Sequence, residues 1–331
     1  MILSVRPPTI LVRCVHLARW PDWSTSKLPF LGAAALLLAP PESTAVQVLA
    51  IIGTVLCWAA FGYCVNDVAD RACDLQAGKS NRAANVSHAI WALFLTLTAT
   101  TSIWLSLLWA ADRAAPALVL GGLLLASAYS LLPFRLKERG AMGLAAGAVS
   151  QWVLPVLAIS AVQPGGWSRP AAWCLALLGL AIGIRWMAIH QLQDTVADRL
   201  AGVRTYASRG GQVWPVLLGS FLAEVVLLAV TLVLTWPQSL PAAAALAFWI
   251  GQQTLLRPRG EPIRQKLQGY DHAPLAEYYF LLLPVTLALA RGLSSPAFFV
   301  VAAVFVAVGW CYLAMMTGEW YEAWMARGRN P

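Results

Sequence analysis

Three aspartates follow directly on a long apolar run in the N-terminal third of the chain. Asp67, Asp70 and Asp74 are spaced i, i+3 and i+7, so a helix places them on one face. Asn66 lies about one turn before Asp70 on the same helix. Four oxygen-bearing side chains are therefore predicted to converge where this apolar run ends.

A second acidic group again follows an apolar run. Asp194 and Asp198 are spaced i and i+4, and Gln191 continues the same helix face. Clustered carboxylates repel one another unless a cation lies among them. Oxygen donors favour Mg²⁺, which commonly binds one or two carboxylates together with substrate phosphates. A single Asp at a helix end is commonly a cap, but two phased groups predict an Mg²⁺ site with a diphosphate as the bridging ligand.

Basic residues accompany the acidic groups and would neutralise phosphate charge, arginine by bidentate contact. A further polar stretch, YSLLPFRLKERG at residues 129–140, closes another apolar run. Because Tyr, Lys and Arg are enriched at membrane interfaces, this stretch is open to two interpretations, membrane anchoring or ligand binding. The interleaved basic residues are Arg71, Lys79, Arg82, Arg199 and Arg204, and the further stretch adds Arg135, Lys137 and Arg139 beside Tyr129.

Long apolar helices must position these polar groups. Of the 331 residues, 59% are hydrophobic and 11% are charged, and the apolar blocks have the length of about 20 residues that a helix needs to cross a bilayer. The alternation typical of a membrane β-barrel is absent. The sequence predicts an all-α polytopic membrane protein with nine to ten spans. The candidate spans are 27–40, 45–65, 86–110, 115–133, 141–162, 170–190, 212–235, 238–255, 276–291 and 296–316.

The basic residues are concentrated in alternate polar breaks, where 19 of the 23 occur. The positive-inside rule then predicts that both termini and both acidic groups lie in the cytoplasm. The net charge of +8 belongs to this membrane face, and no nucleic-acid-binding module is indicated. Arg outnumbers Lys nineteen to four, which suggests a GC-rich bacterial source and hence the inner membrane. The predicted parts are an N-terminal segment 1–26, a membrane domain 27–316 with cytoplasmic loops 66–85, 134–140, 191–211 and 256–275, and a tail 317–331.

Three motifs together resemble those of the UbiA-type intramembrane prenyltransferases. NDVADRACD fits the pattern N-D-x-x-D-x-x-x-D, and DTVADRLAGVRT is similar to the second aspartate motif of that family. YSLLPFRLKERG resembles the family's Tyr-to-Lys segment. The order and spacing agree over roughly residues 15 to 255. The chain departs from many members at His190 and Gln191, which replace a lysine-acid pair, and at Ala83, which replaces a proline.

The resemblance implies a bundle of about nine spans around a central cavity. A polyprenyl diphosphate would bind there on two Mg²⁺ ions, and its tail would point toward lipid. Asn66, Asp67 and Asp70 would hold one ion, supported by Asp74, and Asp194 and Asp198 would hold the other. The implied catalytic residues are Asp67, Asp70, Asp194, Asp198, Tyr129 and Lys137, and the implied substrate contacts are Arg19, Arg71, Lys79, Arg82, Arg135, Lys137 and Arg204.

Several reactions fit these motifs. The favoured one transfers the prenyl group to an aromatic, quinone-precursor, tetrapyrrole or lipid acceptor. The same motifs are compatible with a terpene cyclase that needs no acceptor, or with transfer from phosphoribosyl diphosphate to a polyprenyl phosphate. From another class, an ion-coupled secondary transporter would carry acids near the middle of its spans. Here the acids cluster at span ends, and Glu224 is the main acid inside an apolar run.

Overall fold

The computed structural model describes residues 17–76, 78, 81–84, 86–200, 202–256 and 275–318. Within these ranges the regular structure is helical and no β-strand occurs, which confirms the predicted all-α class. The helices are α1 (Trp20–Leu38), α2 (Ala45–Gln76), α3 (His88–Trp109), α4 (Ala114–Ser130), α5 (Ala141–Ser160), α6 (Pro170–Gln193), α7 (Thr195–Leu200), α8 (Val213–Leu234), α9 (Leu240–Leu256), α10 (Tyr278–Gly292), α11 (Phe298–Val308) and α12 (Trp310–Gly318).

All ten predicted apolar blocks fall on helices. By length and composition, α2, α3, α5, α6 and α8 are able to cross a membrane, and α11 with α12 would be a sixth span if the bent pair crosses as one. Two shorter apolar helices, α4 and α10, lie among them. The chain is therefore a multi-pass membrane protein, and the count of nine to ten spans stays a prediction.

Helix α1 runs through the interior of the bundle. Every residue from Leu28 to Leu38 is buried, and the helix packs against α2, α5 and α10. Small residues such as Ala33, Ala34 and Ala35 allow this close packing, because membrane helices approach most closely where side chains are small. The buried second half fixes the position of α1, so that its more polar first half faces the same interior.

Two helices contain one wide turn, in which the backbone is locally π-helical. In α5 the wide turn covers Val149–Val153, and in α10 it covers Tyr278–Leu282. Such turns frequently occur at functional sites because they re-aim side chains. In α5 three successive residues, Ser150, Gln151 and Trp152, all reach the central cavity. A Cβ at Gly183 of α6 would lie 2.5 Å from the Trp152 ring, so glycine is required where α6 crosses this turn.

A buried ion pair joins α6 to α8. Arg185 and Glu224 are both 0% exposed. The Arg185 guanidinium donates from Nε to Glu224 Oε1 at 2.6 Å and from Nη2 to Oε2 at 2.8 Å. This bidentate pair gives both oxygens of the Glu224 carboxylate a hydrogen bond inside an apolar environment. Glu224, the main acid of the apolar runs, is thus a partner of Arg185 and joins two helices.

Candidate active site

A cavity of about 690 Å³ lies between the helices, and both acidic groups line it. The end of α2 and the end of α6 with α7 each contribute to its walls. Helices α1, α4, α5 and α12 complete the enclosure. Of the residues predicted from sequence, the structure brings ten to this cavity: Arg19, Asn66, Asp67, Asp70, Asp74, Arg82, Tyr129, Lys137, Asp194 and Asp198.

The first acidic group lies on the last turns of α2, which continues as a helix well past the end of the apolar run. Asp67 is 5% exposed, and its Oδ1 accepts from Arg19 Nη1 at 3.0 Å. Its Oδ2 is buried and, among the described residues, has no hydrogen-bond partner. Asp74 accepts from Asn81 Nδ2 at 2.7 Å, and the same amide donates to the Asp67 carbonyl. Asn81 therefore ties the Asp74 carboxylate to the backbone of α2 at Asp67.

Cations from the loop after α4 contact Asp70. The Lys137 ammonium forms a close ion pair with Asp70 Oδ1 and donates to Asn66 Oδ1 at 3.3 Å. Arg135 Nη2 lies 3.3 Å from Asp70 Oδ1, and Nε of the same guanidinium pairs with Glu138 Oε1. Burial lowers the pKa of the Lys137 ammonium below its usual value, and the Asp70 carboxylate offsets part of that shift.

Two of the arginines at the first group have a strained backbone. Arg19 and Arg135 adopt positive φ angles, 52° and 36°. Such left-handed conformations are costly for residues with a side chain and persist where the surroundings enforce them, often at functional sites. In both residues the guanidinium reaches an aspartate of the first group, Asp67 or Asp70.

The second acidic group lies where α6 ends and α7 begins. Asp194 follows the last residue of α6, and Asp198 is buried on α7. The Thr205 hydroxyl donates to Asp198 Oδ2 at 3.0 Å. His190 Nε2 lies 3.7 Å from Asp194 Oδ2. Gln191 accepts from the backbone N–H of Tyr206 at 3.0 Å, so it orders the loop that follows this group.

Some predicted substrate contacts lie away from the cavity. Arg71 donates to the Ala84 carbonyl at 2.7 Å, because the residue after Asp70 points about 100° away around the helix. Arg204 lies in a separate basic depression with Arg199 and Arg209. Arg135 contacts Asp70 without lining the cavity. Lys79 lies outside the described residues.

Sequence reasoning missed the contribution of α1. Lys27 is 5% exposed, lines the cavity and donates to the Tyr63 hydroxyl, with its ammonium 4.2 Å from the centre of the Tyr63 ring. Asp22 bridges Arg19 at 2.7 Å and Arg82 at 3.0 Å. Tyr63 precedes Asp67 by one turn, so helical phasing from the first acidic group would have found it.

Magnesium suits the donor set, although no cluster of three acidic, His or Cys ligands occurs among the described residues. The nearby donors are the carboxylates and the Asn66 amide oxygen, and the orphaned Asp67 Oδ2 is a buried anionic oxygen that a cation would satisfy. Mg²⁺ commonly takes one or two protein carboxylates and completes its shell with substrate phosphates and water. The residues present therefore fit the ion together with a phosphate ligand.

The site thus combines carboxylates and cations in one cavity of an all-helical membrane bundle. The model of the UbiA prenyltransferase family matches residues 28–273. The chain belongs to this family. Among curated proteins, no sequence is significantly similar to it.

Solved structures agree with the fold. A UbiA homologue from Archaeoglobus fulgidus bound to DMAPP and Mg²⁺ is 18% identical, and the match covers 91% of this chain and 99% of that chain with a TM-score of 0.50. The same homologue bound to GPP and Mg²⁺ matches with the same identity, coverage and TM-score. At this identity the similarity establishes the fold alone.

Proposed function

We propose that this protein is a Mg²⁺-dependent intramembrane prenyltransferase. It ionises a polyprenyl diphosphate and transfers the prenyl group to a hydrophobic acceptor, releasing diphosphate. The observation that carries the proposal is that two acidic groups, far apart in sequence, line one cavity, and that cations of the chain pair with the first of them. Family membership and the DMAPP- and GPP-bound Archaeoglobus fulgidus homologue support the same class of substrate.

In this proposal each acidic group holds one Mg²⁺ ion. Asn66, Asp67 and Asp70 hold the first, and Asp194 and Asp198 hold the second. Asp74 keeps the end of α2 in register through Asn81. When bound, the ions neutralise the charge that develops on the diphosphate as the allylic C–O bond breaks.

The chain's own cations then receive the diphosphate. Lys137, Arg19 and Arg82 line the cavity, and each is held in place by a carboxylate. A diphosphate that binds between the acidic groups gains charge-assisted hydrogen bonds from them, and these strengthen as negative charge accumulates on the leaving oxygen. Tyr129, on the last turn of α4, faces this position and steadies the leaving oxygen or the allylic cation.

The apolar part of the cavity protects the cation. Bond cleavage leaves the electron pair on the diphosphate and an electron-deficient allylic carbon. Trp152, Trp186 and Tyr312 line the cavity, and aromatic faces stabilise cations without reacting as water would. An electron-rich carbon or oxygen of an aromatic, quinone-precursor, tetrapyrrole or lipid acceptor then forms the new bond and loses a proton.

The same aromatic wall favours one second candidate, a terpene cyclase. In that case the allylic cation is attacked by a double bond of its own chain, and no acceptor is needed. The geometry favours a transporter less, because Glu224 pairs with Arg185 and the described acids near the cavity lie at helix ends.

Product analysis separates these candidates. Purified protein in detergent is incubated with Mg²⁺ and geranyl, farnesyl or geranylgeranyl diphosphate, with and without a panel of phenols, naphthols and lipid phosphates, and products are identified by mass spectrometry. A prenylated acceptor that forms only with Mg²⁺ supports transfer. A cyclised hydrocarbon or alcohol without acceptor supports the cyclase, and ion-dependent uptake into vesicles without diphosphate release would overturn both.

A further inference from the structure

A basic depression of about 460 Å³ lies in the segment that follows α6. Arg199, Arg204 and Arg209 line this arginine depression, and all three side chains are exposed. Among the described residues, no carboxylate forms an ion pair with any of the three, whereas Arg19 and Lys137 in the central cavity each pair with an aspartate. Three guanidinium groups close together in sequence thus line one depression, and the described part of the chain supplies no counter-charge to them.

Backbone carbonyls hold two of these side chains in place. Arg199 donates from Nε to the Ser208 carbonyl at 3.2 Å. Arg209 donates from Nε to the Arg204 carbonyl at 3.2 Å and from Nη2 to the Glu138 carbonyl at 3.0 Å. Because neutral carbonyls accept these bonds, the guanidinium charges are not neutralised. Guanidinium groups bind phosphate oxygens by bidentate contact, so the arginine depression suits a phosphate group.

Exposed apolar side chains beside the arginine depression indicate which kind of phosphate it takes. Val196 and Leu200 on α7 are 71% and 79% exposed. They are spaced i and i+4, and Arg199 lies between them at i+3, so one face of α7 presents two apolar groups and a cation. Helix α7 follows directly on α6, which is able to cross a membrane. A face of this composition at the end of a span suits the boundary between lipid headgroups and acyl chains.

We propose that the arginine depression binds the headgroup phosphate of an anionic lipid. The phosphate lies among the arginines, and an acyl chain of the same lipid covers Val196 and Leu200. A free phosphate would use the arginines but would leave both apolar side chains in water. This binding site does not depend on the proposed function.

The arginine depression also backs onto the central cavity, because Val203 lines both. The Val203 N–H donates to the Asp198 carbonyl at 2.8 Å, and the Thr205 hydroxyl donates to the Asp198 carboxylate at 3.0 Å. A lipid phosphate that holds Arg199 and Arg204 on the outer side of this segment therefore restrains the residues that position Asp198. This effect on the second acidic group, unlike the lipid site itself, rests on the proposed function.

Native mass spectrometry in detergent tests the lipid site, with phosphatidylglycerol and the net-neutral phosphatidylcholine as probes. The variant is the double change Arg199→Gln with Arg209→Gln. The matched control is Arg113→Gln with Arg169→Gln, which removes the same charge from two exposed positions elsewhere. Wild-type protein and control are expected to bind phosphatidylglycerol about tenfold more tightly than the variant does. Equal affinities in the three proteins, or equal binding of the two lipids by wild-type protein, would overturn the proposal.

Two further measurements separate a lipid from a free phosphate. Leu200→Ser leaves the arginines in place and is expected to weaken phosphatidylglycerol binding, because the acyl chain loses an apolar contact. Inorganic phosphate at millimolar concentration is expected to leave the bound lipid in place. Displacement of the lipid by phosphate, or unchanged lipid affinity in Leu200→Ser, would overturn the assignment to a lipid.

Hydrogen exchange and turnover test the link to the second acidic group. In nanodiscs, phosphatidylglycerol is expected to slow amide exchange in residues 198–206 of wild-type protein about threefold relative to phosphatidylcholine, and to speed diphosphate release. The arginine variant is expected to show neither effect. Lipid binding without slower exchange would overturn the link to Asp198. Slower exchange in a protein that releases no diphosphate would support the lipid site and its link to this segment, and would show that the proposed reaction is wrong.

Discussion

At the scale of single residues, two carboxylates of the first acidic group are already balanced by cations of the chain. Asp67 pairs with Arg19, and Asp70 pairs with Lys137 and Arg135. Carboxylates this close together repel one another unless positive charges compensate them. A bound metal and diphosphate would replace these contacts, with the ion taking the carboxylates and the cations taking the phosphate oxygens. The same side chains would therefore pair with one another without ligands and bind the ion and the diphosphate when these are present.

Lys137→Met tests this exchange. Losing one cation that contacts the diphosphate is expected to lower kcat/KM for the prenyl donor by roughly 10²-fold, the scale of a missing charge-stabilising donor. Steady-state diphosphate release measures it. Arg139→Met is the control, because Arg139 is exposed and donates to the Phe134 carbonyl. Equal loss in both variants would mean that the loop is merely destabilised.

Helical spacing was enough to predict that each acidic group shares one face, and the structure brings both groups to one cavity. It was not enough to find Lys27. That side chain reaches the cavity only because α1 packs beside α2 and brings Lys27 onto Tyr63, and such a pairing between helices has no periodic signal within either segment. Arg71 shows the converse: it is next to Asp70 in sequence, but its guanidinium contacts the Ala84 carbonyl and not the cavity.

At the scale of helices, hydropathy located the helices, but the spans that it predicted for the two helices of the first acidic group are too short. The first span was predicted at 27–40, yet α1 begins at Trp20, because its polar turns face the cavity. The second was predicted at 45–65, yet α2 continues to Gln76 through the whole first acidic group. A hydropathy scale assigns polar residues to loops even where they line an interior cavity.

The buried pair between α6 and α8 predicts a clear stability pattern. Glu224→Leu leaves the Arg185 charge uncompensated in an apolar interior, which typically costs about 3–5 kcal/mol. The double change Arg185→Met with Glu224→Leu removes both charges and is expected to recover most of the loss. Thermal unfolding in detergent measures both. A double variant no more stable than Glu224→Leu would show that the pair does more than join the helices.

The bend between α11 and α12 gives a second prediction. Gly309→Ala introduces a Cβ 2.9 Å from the Phe280 carbonyl oxygen, and such overpacking costs about 1–3 kcal/mol. We expect a lower melting temperature. Gly219→Ala on α8 is the matched control, because nothing lies within 4 Å of its Cβ position. Equal melting temperatures for the two variants would contradict the tight bend.

At the scale of the whole molecule, the basic residues predict the orientation. We propose that the protein lies in the bacterial inner membrane with the mouth of the cavity facing the cytoplasm. The predicted cytoplasmic side carries Arg139, in the loop between α4 and α5, and the opposite side carries Ser168, between α5 and α6. Both residues are exposed.

Thiol labelling tests this orientation. In a cysteine-free background, Ser168→Cys is expected to react with a membrane-impermeant maleimide in intact cells, and Arg139→Cys only after lysis. Because an intervening α5 separates the two positions, they must report opposite sides if α5 spans the membrane. The reverse pattern would place the cavity mouth outside the cytoplasm.

The most direct test of the central claim is the rate of Mg²⁺-dependent diphosphate release from geranyl diphosphate by the purified protein, in the presence of an acceptor that the product screen identifies or, for a cyclase, without one. The proposed site, in which both acidic groups act on one diphosphate, predicts that Asp67→Asn and Asp194→Asn each abolish release, while Asp112→Asn, on the loop before α4, retains the wild-type rate. Unchanged release in either variant of the acidic groups would contradict the claim that the two groups act together on one diphosphate.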